Sequence, residues 1–367
     1  MTLTAVVLVV VGLVALVGGA EVLVRGARHL AINLGVSPLV VGLTVVAFGT
    51  SAPEMAVGVQ AALNGETSLA LGNVVGSNMF NTLAVLGISA LIGALVVHQQ
   101  LIRGELRIIL LATVVVFAMA FGGVITRWWG LVLLAGVVAY TVWAIRRERD
   151  EPDDVVAEYD EEFGGAEDES PHWSLNVGLV VVGLVALVMG SRWLVSGASD
   201  IAVGVGMSEL LVGVTIVAVG TSLPELATSV VAAVRGERDI AVGNVMGSNL
   251  FNLLLVLGLT ATVSPVGVPV DDTVIGFQLP ALLFVSVLCI GVLWTGYAIR
   301  RWEGAIFVVL YVAYLATTVV DSQFPDAVGT ARTIAIVLGA AAFVAVAVSA
   351  LRARRRGNEP VLEVIGD

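Results

Sequence analysis

The chain has 367 residues, 58% of them hydrophobic and only 13% charged, with a formal net charge of -11. Soluble domains carry about 25% charged residues and about 45–50% apolar ones, so a soluble globular protein is excluded. A porin-like barrel is excluded as well, because its strands alternate over about ten residues and the apolar runs here continue for about twenty.

The opening apolar run, Leu3 to Ala20, has no basic segment before it and continues into Glu21 and Arg25. It reads as a first membrane helix rather than a cleaved leader. Apolar windows of membrane-spanning length then recur, and the full set lies near 3–24, 37–62, 69–95, 106–124, 128–145, 174–195, 209–234, 240–262, 275–298, 303–320 and 331–351. Between the fifth and sixth windows, twelve of the 29 acidic residues crowd into Glu148–Glu169, a composition expected of a solvated linker. The predicted organisation is therefore a first transmembrane repeat of five helices over 1–147 and an acidic cytoplasmic linker over 148–173. A second repeat of five helices follows over 174–320, then an additional helix and basic tail over 321–367.

All 18 basic residues are arginine. With the N-terminus outside, fifteen of them fall at inner helix ends, and only Arg127, Arg192 and Arg332 fall outside. That bias places the linker and C-terminus in the cytoplasm of a multi-pass plasma-membrane protein. With no sustained basic stripe, nucleic acid is not an expected partner; membrane lipid is. Cys289 lies in an apolar run, and His29, His98 and His172 lack ligand spacing, so neither a disulfide nor a soft-metal centre nor a cofactor is expected.

One stretch occurs twice. Val40–Gly87 aligns without a gap with Leu211–Gly258 at an offset of 171, sharing Gly49/Gly220, Thr50/Thr221, Ser51/Ser222, Pro53/Pro224, Glu54/Glu225 and the Gly-Asn-Val-x-Gly-Ser-Asn run. Five helices, an odd number, precede the second copy, so the halves enter the membrane from opposite sides. Inverted repeats of this kind are the architecture of secondary transporters that work by alternating access. The predicted fold is all-α and polytopic: ten transmembrane helices as two inverted five-helix repeats, plus an eleventh C-terminal helix without a counterpart.

Glu54 and Glu225 lie well inside their spans, where a carboxylate costs several kcal/mol unless it faces a wet cavity or a cation. Pro53 and Pro224 precede them and interrupt the helix, which is expected to free carbonyl oxygens near Ala47/Ala218 and Phe48/Val219. Thr50, Ser51, Thr221 and Ser222 add hydroxyls within one turn. On the next helix Asn73, Ser77 and Asn81 recur every fourth residue and share a face, as do Asn244, Ser248 and Asn252; Asn78 and Asn249 lie off it and are expected to pack or cap. Two carboxylates among hydroxyls, amides and carbonyls form a hard oxygen set suited to Ca2+ or Na+. Mutually exclusive occupation of one acidic site is a physical basis for exchange.

At these residues the chain resembles the calcium/cation antiporter superfamily, in particular the prokaryotic sodium/calcium exchangers, in a branch related to the potassium-dependent ones. GTSAPE and GTSLPE resemble the first family signature, GNVVGSNMFN and GNVMGSNLFN the second. The resemblance implies acidic ligands at Glu54 and Glu225 and hydroxyl ligands at Thr50, Ser51, Ser77, Thr221, Ser222 and Ser248. It also implies sodium-binding carbonyls near Ala47 and Ala218. It further implies that several Na+ move in as one Ca2+ leaves, with the first and sixth helices sliding over the rest. Many relatives carry Asp where this chain has Asn252; here Asn81 and Asn252 are both neutral, which argues against obligatory potassium co-transport. The main alternative is a proton/calcium exchanger on the same fold, and the extra hydroxyls favour sodium. A cation channel would more often gain symmetry by oligomerising, and no activated nucleophile marks an enzyme. Both a monomer and a homodimer fit the sequence.

Overall fold

The computed structural model describes residues 3–65, 67–97, 104–149, 173–207, 212, 215–216, 218–294 and 297–355. The acidic linker and the end of the basic tail fall outside these residues. In chain order the helices are α1 (Leu3–Leu34), α2 (Pro38–Thr50), α3 (Ala52–Asn64) and α4, which runs from Thr67–Met79 through the π-helical Phe80–Val85 into Leu86–Ile92. They continue with α5 (Glu105–Ala120), α6 (Arg127–Arg149), α7 (Trp173–Gly204) and α8 (Leu223–Val234). Next, α9 joins Arg238–Phe251 to Leu257–Val263 through the π-helical Asn252–Val256, and α10 joins the π-helical Val274–Gln278 to Leu279–Trp294. The last two are α11 (Arg301–Gln323) and α12 (Val328–Arg355).

Among the described residues eight helices are long and apolar enough to cross a membrane, or nine if the bent pair α2–α3 counts as one span. The molecule is thus an all-α, multi-pass membrane protein. The sequence windows number eleven, and two fall short of this length for visible reasons. The window 106–124 holds α5, only 16 residues long, which stops before Gly122 and Gly123. The window 209–234 is represented by the 12-residue α8 after a break at Thr221–Ser222.

The helices are sorted by depth. The best membrane window of α9 is 94% buried and that of α4 78%, whereas α12 reaches only 17%. So α4 and α9 form the centre, and α12 lies at the lipid-facing rim. α1 and α7 form a separate antiparallel pair. A Cβ on Gly12 would come within 2.5 Å of the Leu194 backbone and one on Gly190 within 2.7 Å of the Leu16 backbone, so only glycine permits this approach. The outer faces of the pair expose Val10, Val14, Val181 and Val182 to lipid.

Two short antiparallel strand pairs tie the halves together: β1 (Leu95–Val96) with β4 (Ala298–Ile299), and β2 (Val124–Ile125) with β3 (Val268–Pro269). Each pair joins a segment before the linker to one after it, and the second pairing is the first with the halves exchanged.

Candidate ion-binding site

The site grows from two broken helices. α2 ends at Thr50, and α3 starts after Ser51 with Pro53 in its first turn, where a missing N–H does no harm. The two axes meet at 43°. The second copy repeats the device: the short helix Ala218–Gly220, then Ser222 as N-cap and Pro224 in the first turn of α8. Glu54 and Glu225 consequently sit in the first turns of α3 and α8, where helix N-termini favour negative charge.

Both carboxylates are fully buried, with Thr50, Ser51, Ser222, Ser248, Asn81, Asn244 and Asn252 equally inaccessible and Ser77 nearly so. The contacts cross between the halves. Ser222 donates to Glu54 Oε1 at 2.9 Å and lies 3.1 Å from Ser77 Oγ, which itself donates to Glu54 Oε1 at 3.4 Å. Ser51 donates to Glu225 Oε1 at 3.4 Å. The Thr50 hydroxyl stands 3.0 Å from Asn244 Oδ1 and 3.2 Å from Ser248 Oγ. Asn244 is held in turn by its amide N–H groups, which reach the Glu225 carbonyl at 3.3 Å and Ser229 Oγ at 3.0 Å.

The Ala47 carbonyl is engaged rather than free. It accepts from the Ser51 N–H at 3.1 Å and lies 3.3 Å from the Thr50 hydroxyl. The acceptor that Pro53 deprives of a partner is one turn back from proline itself, at Gly49. In the second copy the Ser222 N–H bonds to the Val219 carbonyl instead of that of Ala218. Asn73 is half-buried and its amide nitrogen has no partner, so it stands apart from the other face residues in this state.

Several buried oxygens at the centre have no hydrogen-bond partner: Glu54 Oε2, Glu225 Oε2, Asn81 Oδ1, Asn252 Oδ1 and Thr221 Oγ1. Buried polar atoms are normally paired, and the exceptions mark places where an ion or water belongs. Among the described residues no three of His, Cys, Asp or Glu gather as a metal site. Around the two glutamates the other polar groups are neutral oxygens and amides, a donor set of the kind hard cations take.

Asn78 and Asn249 lie outside that set. Asn78 donates to the Asn249 carbonyl at 3.2 Å and accepts from Asn252 at 3.2 Å, while Asn249 donates to Thr82 at 2.8 Å. They brace α4 against α9. Ser229 and Ser191, whose hydroxyl bonds to the Gly220 carbonyl, were not legible as site neighbours. For Ser229 the available signal was its position one turn beyond Glu225 on the same helix.

Comparison with known proteins places this geometry. The sequence profile described as "Sodium/calcium exchanger protein" matches residues 4–146 and 175–320. The chain belongs to the sodium/calcium exchanger family. It is a membrane antiporter, not an enzyme. It is 39% identical over 321 residues to the putative antiporter CaxA of Alkalimonas amylolytica, covering 85% of this chain and 98% of that one. It is 30% identical over 340 residues to the sodium/calcium exchanger MaX1 of Methanosarcina acetivorans, covering 84% and 96%. The solved structure of the sodium-calcium exchanger NCX_Mj soaked with zero Na+ and Ca2+ superposes with a TM-score of 0.74 at 28% identity, over 86% of this chain and 99% of that one.

Proposed function

We propose that this chain exchanges Na+ for Ca2+ at the centre between α3, α4, α8 and α9, with Glu54 and Glu225 as the charged ligands. Thr50, Ser51, Ser77, Thr221, Ser222, Ser248, Asn81 and Asn252 surround them with neutral oxygens. Asn73 and Asn244, with the carbonyls near Ala47 and Ala218, line the approaches on either side. The observation that carries this reading is the pair of buried glutamates, each with one oxygen bonded across the halves and one without a partner. Two negative charges balance one Ca2+ or are shared by several Na+, so occupation by one ion opposes the other.

Ten helices in two inverted repeats, 1–147 and 174–320, with the N-terminus outside and the linker of 148–173 and the C-terminus in the cytoplasm, account for the strand pairs that exchange halves. In that orientation the α8–α9 turn is cytoplasmic and the α3–α4 turn is external. Asn244 lies toward the cytoplasmic turn and is closed against Thr50, while Asn73 lies toward the external one, partly buried and with its amide nitrogen unpartnered. Two ion pairs, Arg235 with Glu21 and Arg28 with Glu237, further fasten α1 to the cytoplasmic turn. These features support a state closed inside and accessible from outside. Alternating access follows if the α1–α7 pair, packed glycine against backbone, shifts as one body and exchanges the roles of the two ends.

The test is Ca2+ uptake by proteoliposomes under an outward Na+ gradient. Uptake should follow the Na+ gradient and disappear in Glu54→Gln and in Glu225→Gln. Uptake driven by a pH gradient and indifferent to Na+ would replace this reading with proton/calcium exchange.

A further inference from the structure

The helix α12 has no counterpart in the first half and lies beyond the residues matched by the family profile. Its role emerges from a cluster on the other side of the molecule. At the end of α6, the Arg147 guanidinium lies 5.2 Å over the Trp143 ring and 4.0 Å from the Glu105 carboxylate. Gly104 makes room for it, since a Cβ there would collide with the guanidinium. Tyr140 completes the cluster, its ring 6.1 Å from that of Trp143.

The strand registers carry these positions into the second half. Leu95 corresponds to Val268 and Ile125 to Ile299, offsets of 173 and 174. On the same correspondence Gly104 maps to Phe277, Glu105 to Gln278, Tyr140 to Tyr314, Trp143 to Thr317 and Arg147 to Asp321. The acid has become an amide and the arginine an acid, so the second half cannot build this clamp from α10 and α11 alone. Arg332 of α12 supplies what is missing. It donates to Asp321 Oδ1 at 3.2 Å and stands 5.2 Å over the Phe277 ring, which stacks on Tyr314 at 6.4 Å. The same cation thus meets the same two kinds of partner, a carboxylate and an aromatic face, from a different helix. Further along, Phe343 of α12 packs on Phe284 of α10 at 6.5 Å, and Ala342 and Val346 are buried in the same seam.

We propose that α12 is an intramolecular clamp on the α10–α11 pair, in which Arg332 replaces in trans the arginine that the first half carries in its own fifth helix. The pairing also explains why an arginine is tolerated on the side of the membrane where few are found. The experiment is thermal unfolding of the full chain in detergent. Arg332→Gln should lower Tm by about 2–4 °C. The same change should cost clearly less in an Asp321→Asn background, where only the Phe277 contact is left to lose. Adding Gln278→Glu and Asp321→Arg to Arg332→Leu moves the ion pair into α10 and α11, without the counterparts of Gly104 and Trp143, and should recover part of the lost Tm. An unchanged Tm in Arg332→Gln, full additivity with Asp321→Asn, or no recovery in the triple variant would each overturn the proposal.

Discussion

The two glutamates are repeat-related, yet their surroundings are not the same. Glu54 receives two serine hydroxyls on one oxygen, from Ser222 and Ser77, whereas Glu225 receives one, from Ser51. Thr50 is enclosed by Asn244 and Ser248, while Thr221 approaches only Glu54 and Asn73 is partly buried with its amide nitrogen unpartnered. Symmetry of sequence with asymmetry of contact is what a two-state carrier requires. If both ends were zipped the ion would be trapped, and if neither were, the site would leak. On the two-repeat reading, the difference between the Thr50 and Thr221 sides belongs to the state and not to the sequence.

The largest expected effect breaks the symmetric part. Glu54→Gln and Glu225→Gln should each weaken Ca2+ binding by at least ~100-fold, about 2.7 kcal/mol, measured by isothermal titration of the purified protein. Equal losses would fit joint coordination. A variant that kept normal Ca2+ affinity would remove its glutamate from the site.

The asymmetric part is sharpened by Thr50→Val against Thr221→Val. Losing the hydrogen bonds of Thr50 removes about 1 kcal/mol from the closed side, enough to shift the balance of states roughly five- to tenfold toward opening there. Thr221→Val removes only its approach to Glu54 and no bond to the neighbouring helix. Labelling of a cysteine placed near Asn244 from the side of the α8–α9 turn should therefore speed up more in Thr50→Val than in Thr221→Val. The same rate in both would mean that the contacts seen at Thr50 do not hold that side shut.

Much of this was legible beforehand because the chemistry is local. Pro53 and Pro224 announce a helix break and the acids beside them announce its purpose, since a buried carboxylate needs a reason. The spacing of Ser77 and Asn81, or Ser248 and Asn252, gives the face. What sequence could not supply is which partner each group takes across the halves. Nothing in the Ser222 neighbourhood says that it bonds to Glu54 rather than to Glu225 three residues away. The π-helical turns at Phe80–Val85 and Asn252–Val256 were equally hidden, because one extra residue per turn leaves the apolar pattern almost unchanged. The Ala47 carbonyl was expected to be free, and the extra donors at Ser51 and Thr50 became visible only with the backbone path.

A smaller effect is expected from a third carboxylate. Asn252 uses its amide nitrogen on Asn78 and leaves Oδ1 unpartnered, whereas both polar atoms of Asn81 lack partners. Asn81→Asp gives up no hydrogen bond, and Asn252→Asp gives up one. Both add charge to the cation site, so Ca2+ affinity should rise, by about tenfold more for Asn81→Asp, the difference being the bond that Asn252 forfeits. Equal affinities in the two variants would show that the Asn78 brace does not constrain the ligand.

The smallest effect concerns the fastening of α1 at the α8–α9 turn. Burial holds the Glu237 carboxyl above its ordinary range, Arg28 at 3.2 Å opposes that shift, and Asp239 adds to it. A raised value means that the folded protein takes up this proton more readily than the unfolded chain. The burial penalty is therefore complete above the folded value, shrinks as pH falls through it, and is gone below the ordinary carboxylate range. Glu237→Gln should remove that pH dependence while changing stability at neutral pH by less than about 1 kcal/mol, because the partly exposed ion pair offsets part of the penalty. Thermal unfolding between pH 4 and 8 reads both quantities. The Arg235–Glu21 pair is more exposed on both sides than Arg28–Glu237, so the cost of Arg235→Gln should shrink with added salt. If Glu237→Gln instead cost several kcal/mol at neutral pH, the ion pair would outweigh burial, and the side of the α8–α9 turn would be held by charge more than by the zipped hydroxyls around Thr50.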